Sequence, residues 1–399
     1  MTRDLIVTVN PGSSTIKMGL FRVENDVPLR IGSATIDFRG APFALRAEFD
    51  GERHVHPLAA ADRADMVALL REALGQMARH VDLDRTAIIG NRVVHGGDLF
   101  SGPAPIKDEV FARIRDFERL APLHQPQCVQ LIEAIRRLRP EVMQSASFDT
   151  AFHMTQEPIE RRYAIPRHLH DQGLKRYGFH GLSYAWIARR LAELGFGGAR
   201  VVAAHLGSGA SLCAMSNGRS RASSMGFSTL EGIPMATRPG SVDPGILLHL
   251  LGPGGWSLGE VERMLYHDSG LLGLSGISAD SRELLASPRP EAAEAIEVFT
   301  RRIAGEVARL GSVLGGIDVL VFTAGIGENQ PRIRAAVAER LAWLGVEFDA
   351  AANAGNALRI GAEGARVDTL VIPTDEEQII AEEALAIMRG VNAGGPGRG

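Results

Sequence analysis

Residues 7–18 read Val-Thr-Val-Asn-Pro-Gly-Ser-Ser-Thr-Ile-Lys-Met, and residues 202–213 read Val-Ala-Ala-His-Leu-Gly-Ser-Gly-Ala-Ser-Leu-Cys. Each stretch has a strand-like apolar run, a Gly/Ser turn opened by a polar side chain, and a second strand-like run, which is the pattern of a β-hairpin. The same hairpin in both halves of the chain predicts an internal duplication. Strands that alternate with helical segments in each half favour an α/β fold.

Strands and helices are predicted along the whole chain from apolar periodicity and turn residues. Strands are expected at 5–10, 15–21, 33–38, 87–94, 145–149, 201–205, 210–216, 318–323 and 367–372. Helices are expected at 62–80, 108–119, 126–138, 244–252, 257–267, 291–314, 331–344 and 375–388. We expect two domains, each a mixed sheet flanked by helices, with the last helix packed on the first. Their predicted bounds are 1–150 plus 378–399 for the first domain and 151–377 for the second.

The composition is that of a globular protein and excludes several classes. The chain has 399 residues, of which 45% are hydrophobic and 23% charged, with a net charge of -4. Such a chain is not predominantly disordered and does not bind nucleic acid by bulk charge. Cys128 and Cys213 cannot form a disulfide framework or a four-thiolate metal site. No apolar run approaches the ~20 residues of a membrane helix, and no secretory signal is visible, so we predict a cytoplasmic protein without membrane or nucleic-acid partners.

Four Gly-rich junctions between strands and turns are candidate phosphate sites. They lie at 10–17, 205–211, 237–240 and 324–329. Backbone N–H groups exposed at such turns, with hydroxyl groups beside them, bind phosphate oxygens. Lys17 adds a positive charge and Asn10 an oxygen suited to Mg²⁺. The chain contains neither a P-loop nor a Gly-x-Gly-x-x-Gly motif after its first strand, so the two best-known nucleotide folds are disfavoured.

Two arginines, an aspartate and a histidine are candidate catalytic residues. Arg92 opens Arg-Val-Val-His-Gly-Gly at the end of a buried strand, where a guanidinium requires an anionic partner. Arg238 lies in a Gly-rich loop, and two guanidiniums together suit a phosphoryl group. For Arg92 a purely structural ion pair is the alternative. Asp149 ends a short strand, and His180 lies between two glycines, ahead of a helix that Ser183 is expected to cap.

Two apparent motifs are discounted. Ser257 fits a Gly-x-Ser-x-Gly pattern, but no strand precedes it, and Ser257 with Glu260 predicts a helix capping box instead. His153, His168 and His170 lack the spacing and acidic partner of a zinc site. The sequence therefore predicts no metal cluster built from histidine or cysteine.

These motifs, taken in order, resemble the acetate kinase family, part of the acetate-and-sugar-kinase/Hsp70/actin superfamily. The resemblance covers about residues 5–390. It rests on segments 9–17, 92–97, 121–124, 148–153, 177–181, 205–207, 322–329 and 373–377. It implies a duplicated, ribonuclease H-like two-domain fold of the actin, Hsp70 and sugar-kinase type, with the active site in the cleft between the domains.

The resemblance also implies roles for individual residues. The catalytic set is Arg92, Asp149, His180 and Arg238. The pocket for the acyl group is lined by Arg92, Val94, Leu123, Phe179 and Thr229. ATP is bound by Lys17, His205, Leu206, Gly207, Ser208, Gly209, Asp280, Ser281, Arg282, Gly325, Ile326, Gly327, Glu328 and Asn329. The metal, Mg²⁺ with Mn²⁺ as the alternative, is held by Asn10 and Glu376, and the enzyme is expected to be a homodimer.

The chain departs from the family pattern at a few positions, none of which removes a charged catalytic group. They are Asn91 for a usual His, Ser208 and Ala210 in the phosphate turn, Pro239 and Ser241 in the Arg238 loop, and Thr229 for a pocket proline. Phosphoryl transfer is therefore expected to persist. The changes at Thr229 and in the Arg238 loop leave the choice of carboxylate open.

The implied reaction is reversible, direct in-line transfer of a phosphoryl group from ATP to acetate. A carboxylate, with a pKa of about 4.3, is already ionised at neutral pH and needs no general base. We therefore expect Asp149 to orient an arginine or a metal-bound water rather than to carry a proton.

Three other functions are alternatives to an acetate kinase. A preference for propionate or butyrate stays open, because one methylene changes discrimination by only about 1–3 kcal/mol. A nucleotide-dependent conformational module without turnover is the alternative from a different class. A sugar kinase is disfavoured, because a hydroxyl nucleophile requires a base and the implied pocket is apolar.

Overall fold

The computed structural model describes residues 3–12, 15–38, 42–60, 62–63 and 65–390. Ser13 and Ser14, in the first predicted turn, lie outside this described part. Contacts within the chain divide it into two compact units. Unit 1 is Met1–Phe152 with Asp375–Gly399, and unit 2 is His153–Thr374.

The elements are numbered in chain order. The strands are β1 (Leu5–Pro11), β2 (Thr15–Glu24), β3 (Val27–Asp37), β4 (Ala44–Phe49), β5 (Glu52–Pro57), β6 (Thr86–Val93), β7 (Ala104–Pro105), β8 (Met143–Phe148), β9 (Arg200–Leu206), β10 (Ala210–Ser216), β11 (Arg219–Ser223), β12 (Val319–Thr323) and β13 (Asp368–Val371). The α-helices are α1 (Met66–Met77), α2 (Asp108–Asp116), α3 (Gln125–Leu138), α4 (Arg167–Asp171), α5 (Gly181–Glu193), α6 (Pro244–Leu251), α7 (Leu258–His267), α8 (Gly270–Ser275), α9 (Ser281–Ala286), α10 (Pro290–Leu314), α11 (Ala324–Asn329), α12 (Pro331–Glu339), α13 (Ala350–Ala354) and α14 (Glu376–Met388). Within the described residues, no helix combines the length and apolar character needed to cross a bilayer.

Unit 1 is built on an eight-stranded sheet in the order β5-β4-β3-β2-β1-β6-β8-β7. Side chains alternate along β1, so that Leu5 and Val7 enter a core with α1 and α3, while Ile6 packs on the other face with residues of α14. At Gly90 in β6, a Cβ would lie 2.7 Å from Ile380 Cγ2, so glycine permits the close approach of α14. Helices therefore cover both faces of this sheet.

Unit 2 repeats the central topology of unit 1. Its sheet has the order β11-β10-β9-β12-β13, with β9 antiparallel to β10 and parallel to β12. In unit 1, β1 is likewise antiparallel to β2 and parallel to β6, and β6 is parallel to β8. The strands β3-β2-β1-β6-β8 thus correspond to β11-β10-β9-β12-β13. This repetition confirms the duplicated α/β fold that the two hairpins predicted.

The structure corrects several local predictions. The helix after His180 begins at Gly181, and Ser183 lies inside it, where its hydroxyl bonds His205 instead of capping the helix. The segment expected as a turn at 324–329 is the short helix α11. The predicted helices at 108–119 and 331–344 end earlier, at Asp116 and Glu339. The capping box of Ser257 and Glu260 is confirmed, with both reciprocal hydrogen bonds present.

Candidate active site

In unit 1, three parallel strands end side by side and bring three predicted residues together. Asn10, Arg92 and Asp149 lie at the carboxyl ends of β1, β6 and β8, the edge at which α/β sheets bind ligands. Arg92 donates from Nε to Asp149 Oδ1 at 3.0 Å and from Nη2 to Asp149 Oδ2 at 2.7 Å. Its Nη1 donates to Asn10 Oδ1 at 3.0 Å. The guanidinium is therefore held on two sides.

The Arg92–Asp149 ion pair is largely buried. The side chains are 13% and 2% exposed, respectively. Burial lowers the pKa of Arg92, but the charges of Asp149 and Glu376 and the hydrogen bonds to Asp149 outweigh it and raise the pKa above its ordinary value. Because both carboxylate oxygens of Asp149 accept from Arg92, this geometry supports an orienting role. That role stays a prediction.

The predicted metal residues lie next to this pair. Glu376 begins α14, and Asn10 Nδ2 donates to Glu376 Oε2 at 2.8 Å and to Glu377 Oε1 at 3.0 Å. The Asn10 carboxamide oxygen accepts from Arg92 and is thus turned away from these carboxylates. Two adjacent carboxylates fit the oxygen ligands that Mg²⁺ prefers. In this arrangement the amide nitrogen of Asn10 holds the Glu376 carboxylate, and the roles of both residues at a metal ion stay a prediction.

In unit 2, a hydrogen-bonded chain fixes the ring of His180. His180 occupies the left-handed region at φ 57°, and its ring stacks on His205 at a centroid distance of 4.3 Å. His180 Nδ1 lies 2.9 Å from Ser211 Oγ, which lies 2.6 Å from the Tyr184 hydroxyl. Burial raises the pKa of Tyr184 well above its ordinary value, so this phenol keeps its proton. Ser211 Oγ therefore lies between the Tyr184 hydroxyl and His180 Nδ1, and His180 Nε2 is the ring nitrogen on the side of Gly209.

The Gly-rich turn after β9 lies against His180 and Arg238. A Cβ on Gly209 would be 2.8 Å from Arg238 Nη2 and 3.4 Å from His180 Nε2. The absence of a side chain at Gly209 therefore lets Arg238 and His180 approach the turn closely, and a Cβ there would displace the Arg238 guanidinium. A guanidinium, an imidazole nitrogen and turn amides converge here, which is a donor set suited to phosphoryl oxygens.

Arg238 differs from Arg92 in its electrostatic surroundings. Arg238 Nη1 donates to the carbonyl oxygen of Thr229 at 2.9 Å, and Arg238 forms no ion pair with a carboxylate among the residues that the structure describes. Burial lowers the pKa of Arg238 to about 10, and the group stays charged at neutral pH. An uncompensated guanidinium in a partly desolvated place has a strong electrostatic preference for an anion.

Two segments predicted to bind ATP are joined in unit 2. Asp280 caps α9 by accepting from the amide of Arg282 at 2.9 Å and also pairs with its guanidinium. Ser281 Oγ accepts from Gln330 Nε2 at 2.9 Å. Since Gln330 follows Asn329 directly, this bond links the segment 280–282 to the end of α11.

Sequence reasoning missed Arg334, which supports the same region. Its side chain is buried and donates to the carbonyls of Gly327 at 2.8 Å and Glu328 at 3.0 Å. Glu328 Oε1 accepts from the amides of Ala324 at 2.8 Å and Thr374 at 3.0 Å, so this oxygen links the start of α11 to Thr374. Nothing in the local sequence distinguishes Arg334 among 43 basic residues, because its partners are distant backbone groups.

The remaining predicted residues have varied surroundings. Lys17 is exposed on β2 and lies opposite Asn10 in the hairpin register. The residues predicted to line the acyl pocket occur in both units. In unit 1, Val94 is buried and Leu123 is 39% exposed, and in unit 2, Phe179 and Thr229 are buried.

Comparison with known proteins identifies the family. The sequence profile of the Acetokinase family matches residues 5–382. An acetate kinase of Rhodopseudomonas palustris (strain TIE-1) is 43% identical over 397 residues, with 97% of this chain and 99% of the relative covered. An acetate kinase of Rickettsia prowazekii (strain Madrid E) is 37% identical over 391 residues, with 97% of this chain and 100% of the relative covered.

Solved structures agree with this assignment. A propionate kinase of Francisella tularensis has a TM-score of 0.87 at 34% identity, with 96% of this chain and 99% of that chain covered. An acetate kinase of Porphyromonas gingivalis has a TM-score of 0.85 at 32% identity, with 96% and 100% covered. The family resemblance inferred from the motifs is thereby confirmed, and the chain belongs to the acetokinase family.

Proposed function

We propose that this chain transfers the γ-phosphoryl group of ATP to acetate, reversibly and in line, to give acetyl phosphate and ADP. The observation that carries the proposal is the convergence of Arg238, His180 and the Gly209 turn, where the positive charge has no carboxylate partner among the described residues. Because the chain belongs to this family, ATP is the co-substrate and the reaction uses a divalent metal ion. We take that ion to be Mg²⁺.

In this proposal the enzyme catalyses the transfer by positioning the reacting groups and by neutralising the negative charge of the phosphoryl group. The transferring phosphoryl group spreads negative charge over its equatorial oxygens, and preorganised donors stabilise that charge. Arg238 supplies an uncompensated guanidinium, and His180 Nε2, on the side of Gly209, is proposed as a second donor. In unit 1, Arg92 is proposed as a further donor to phosphoryl oxygens, with its orientation fixed by Asp149. Since the carboxylate is already ionised, no residue has to remove a proton from it.

Glu376 is the residue proposed to hold the magnesium ion, with Asn10 keeping its carboxylate in place. When bound, the ion neutralises charge on the nucleotide phosphates. The ATP contacts are proposed for Lys17, the turn 205–209 and the segments 280–282 and 325–329. Within these, one carboxylate oxygen of Glu328 is already engaged by the amide of Ala324 at the start of α11.

The acid is proposed to be acetate, and the named relatives show why the choice requires measurement. The solved structures similar to this chain include both a propionate kinase and an acetate kinase. Val94, Leu123, Phe179 and Thr229 form the proposed wall for the acyl group, and one added methylene is worth only about 1–3 kcal/mol there.

Trapping of acyl phosphates with hydroxylamine tests the proposal. We expect acyl hydroxamate from ATP with acetate, propionate and butyrate, with the highest kcat/KM for acetate. A higher value for propionate or butyrate would reassign the substrate within the acyl kinases. Absence of hydroxamate with all three acids, in protein that binds ATP, would favour the conformational module and overturn the enzymatic proposal.

The homodimer and the cytoplasmic location predicted from the sequence remain part of this proposal. Leu248 in α6 and Leu258 at the start of α7 are 71% and 72% exposed. Single exposed apolar side chains are also common on monomeric proteins, so the homodimer is proposed on the family resemblance.

A further inference from the structure

Three histidines lie together in unit 1. His54 and His56 are two residues apart on β5, so their side chains lie on the same face of the sheet. His54 lies opposite Ala47 of β4, and His56 lies opposite Leu45. His80 follows the end of α1, and its ring centroid lies 4.2 Å from that of His54. One ring nitrogen from each of the three histidines lies within 4.8 Å of the other two.

The three histidine side chains are suited to binding a metal ion rather than to forming an ion pair. His56 Nε2 is buried without a hydrogen-bond partner among the described residues, an arrangement that is unfavourable for a polar atom. Desolvation and then the neighbouring His54 and His56 lower the pKa of His80. The lowered pKa favours the neutral form of His80, which is the form of imidazole that binds metals.

We propose that His54, His56 and His80 form a site for a borderline divalent metal ion of the Zn²⁺, Ni²⁺ or Cu²⁺ class. Imidazole suits these ions, whereas Mg²⁺ prefers oxygen ligands. In a tetrahedral zinc site neighbouring ligand nitrogens are about 3.4 Å apart, so the three nitrogens need to move inward by about an ångström. His80 is exposed and has room to make this adjustment.

This site is distinct from the magnesium residues in its ligands and in its elements. A bound ion would tie the edge strand β5 to the end of α1, and so would stabilise unit 1 rather than take part in phosphoryl transfer. The sequence predicted no metal cluster built from histidine or cysteine, and the structure brings these three histidines together. The pairing of residue 80 with residues 54 and 56 depends on how α1 packs on the sheet, which no local spacing in the sequence reveals.

Direct metal binding to tag-free, full-length protein tests the site. Zn²⁺ titrated by calorimetry in the absence of nucleotide is expected to bind with 1:1 stoichiometry and micromolar or tighter affinity, and to raise Tm. Co²⁺ is expected to give the visible bands of a nitrogen-ligated tetrahedral ion. In the His80→Gln variant we expect affinity at least ten-fold weaker and no Tm shift. His249→Gln, at an exposed histidine of α6, is the matched control and is expected to bind zinc as the wild type does.

Two results would overturn the proposal. One is unchanged zinc affinity in His80→Gln and in His56→Gln, with both variants folded by circular dichroism. The other is X-ray absorption at the zinc edge that shows only oxygen ligands. Hydroxamate formation by metal-free protein with Mg²⁺ is measured in parallel and is expected to be unchanged in His80→Gln, so failure of this site is distinguishable from failure of the proposed activity.

Discussion

Replacing Arg238 with alanine is expected to lower kcat for acetyl phosphate formation by about 10²–10³-fold, the usual cost of losing one preorganised donor to a transition state. The Arg238 guanidinium has no carboxylate partner among the described residues. Its Nη2 lies 2.8 Å from the position that a Cβ on Gly209 would occupy. Its charge is therefore available to the phosphoryl group. The rate is measured by hydroxamate trapping at saturating ATP and acetate.

Arg263→Ala supplies the control for this experiment. Arg263 is an exposed arginine of unit 2 that pairs with Asp268 on the surface, and its removal is expected to leave kcat unchanged. A value of kcat for Arg238→Ala within about three-fold of wild type would contradict the charge-neutralisation account, since a lost transition-state donor costs far more.

Replacing Arg92 with alanine is expected to affect both stability and rate. It leaves the Asp149 carboxylate buried, at 2% exposure, without its main partner. Breaking a buried pair in this way costs about 3–5 kcal/mol of unfolding free energy. The kcat should fall by about 10²-fold or more, because a donor to the phosphoryl group is lost as well.

The double variant Arg92→Ala/Asp149→Ala separates the structural role of the pair from its catalytic role. Removing both charges is expected to recover part of the stability, because Asp149 no longer leaves a buried charge unpaired, although Glu376 still loses its ion pair with Arg92 at 3.8 Å. The rate is expected to stay low. Recovery of near wild-type kcat together with stability would show that Arg92 serves only as a structural partner of Asp149.

Local sequence patterns predicted the fold because they report on backbone conformation and burial. The Gly/Ser hairpins at Asn10 and His205 predicted the duplication, and β1–β2 and β9–β10 confirm it. The strands β4, β5, β7 and β11 were missed. The strand β5 is a short edge strand of charged residues, histidines and a proline, and its one aliphatic side chain, Val55, is exposed. Edge strands often carry such polar sequences, so their periodicity is weak.

The candidate site was predictable in its residues but not in its contacts. Burial of Arg92 on a strand required an anion, yet only the parallel register of β6 with β8 identifies that anion as Asp149. The hydrogen bond from Arg92 to the oxygen of Asn10 was likewise not visible in the sequence. Arg334 gave no signal, because it bonds carbonyl groups and neutral side chains that are distant in sequence. Such contacts depend on tertiary packing.

The pH dependence of kcat for Asp149→Asn, compared with wild type between pH 6 and 9, tests the central claim most directly. If Asp149 orients Arg92 and no proton is transferred to it, the variant should be slower by the same factor at every pH, and the two profiles should be parallel. A factor that changes with pH, with loss of a titrating limb in the variant, would show that Asp149 carries a proton and would contradict catalysis by charge neutralisation alone.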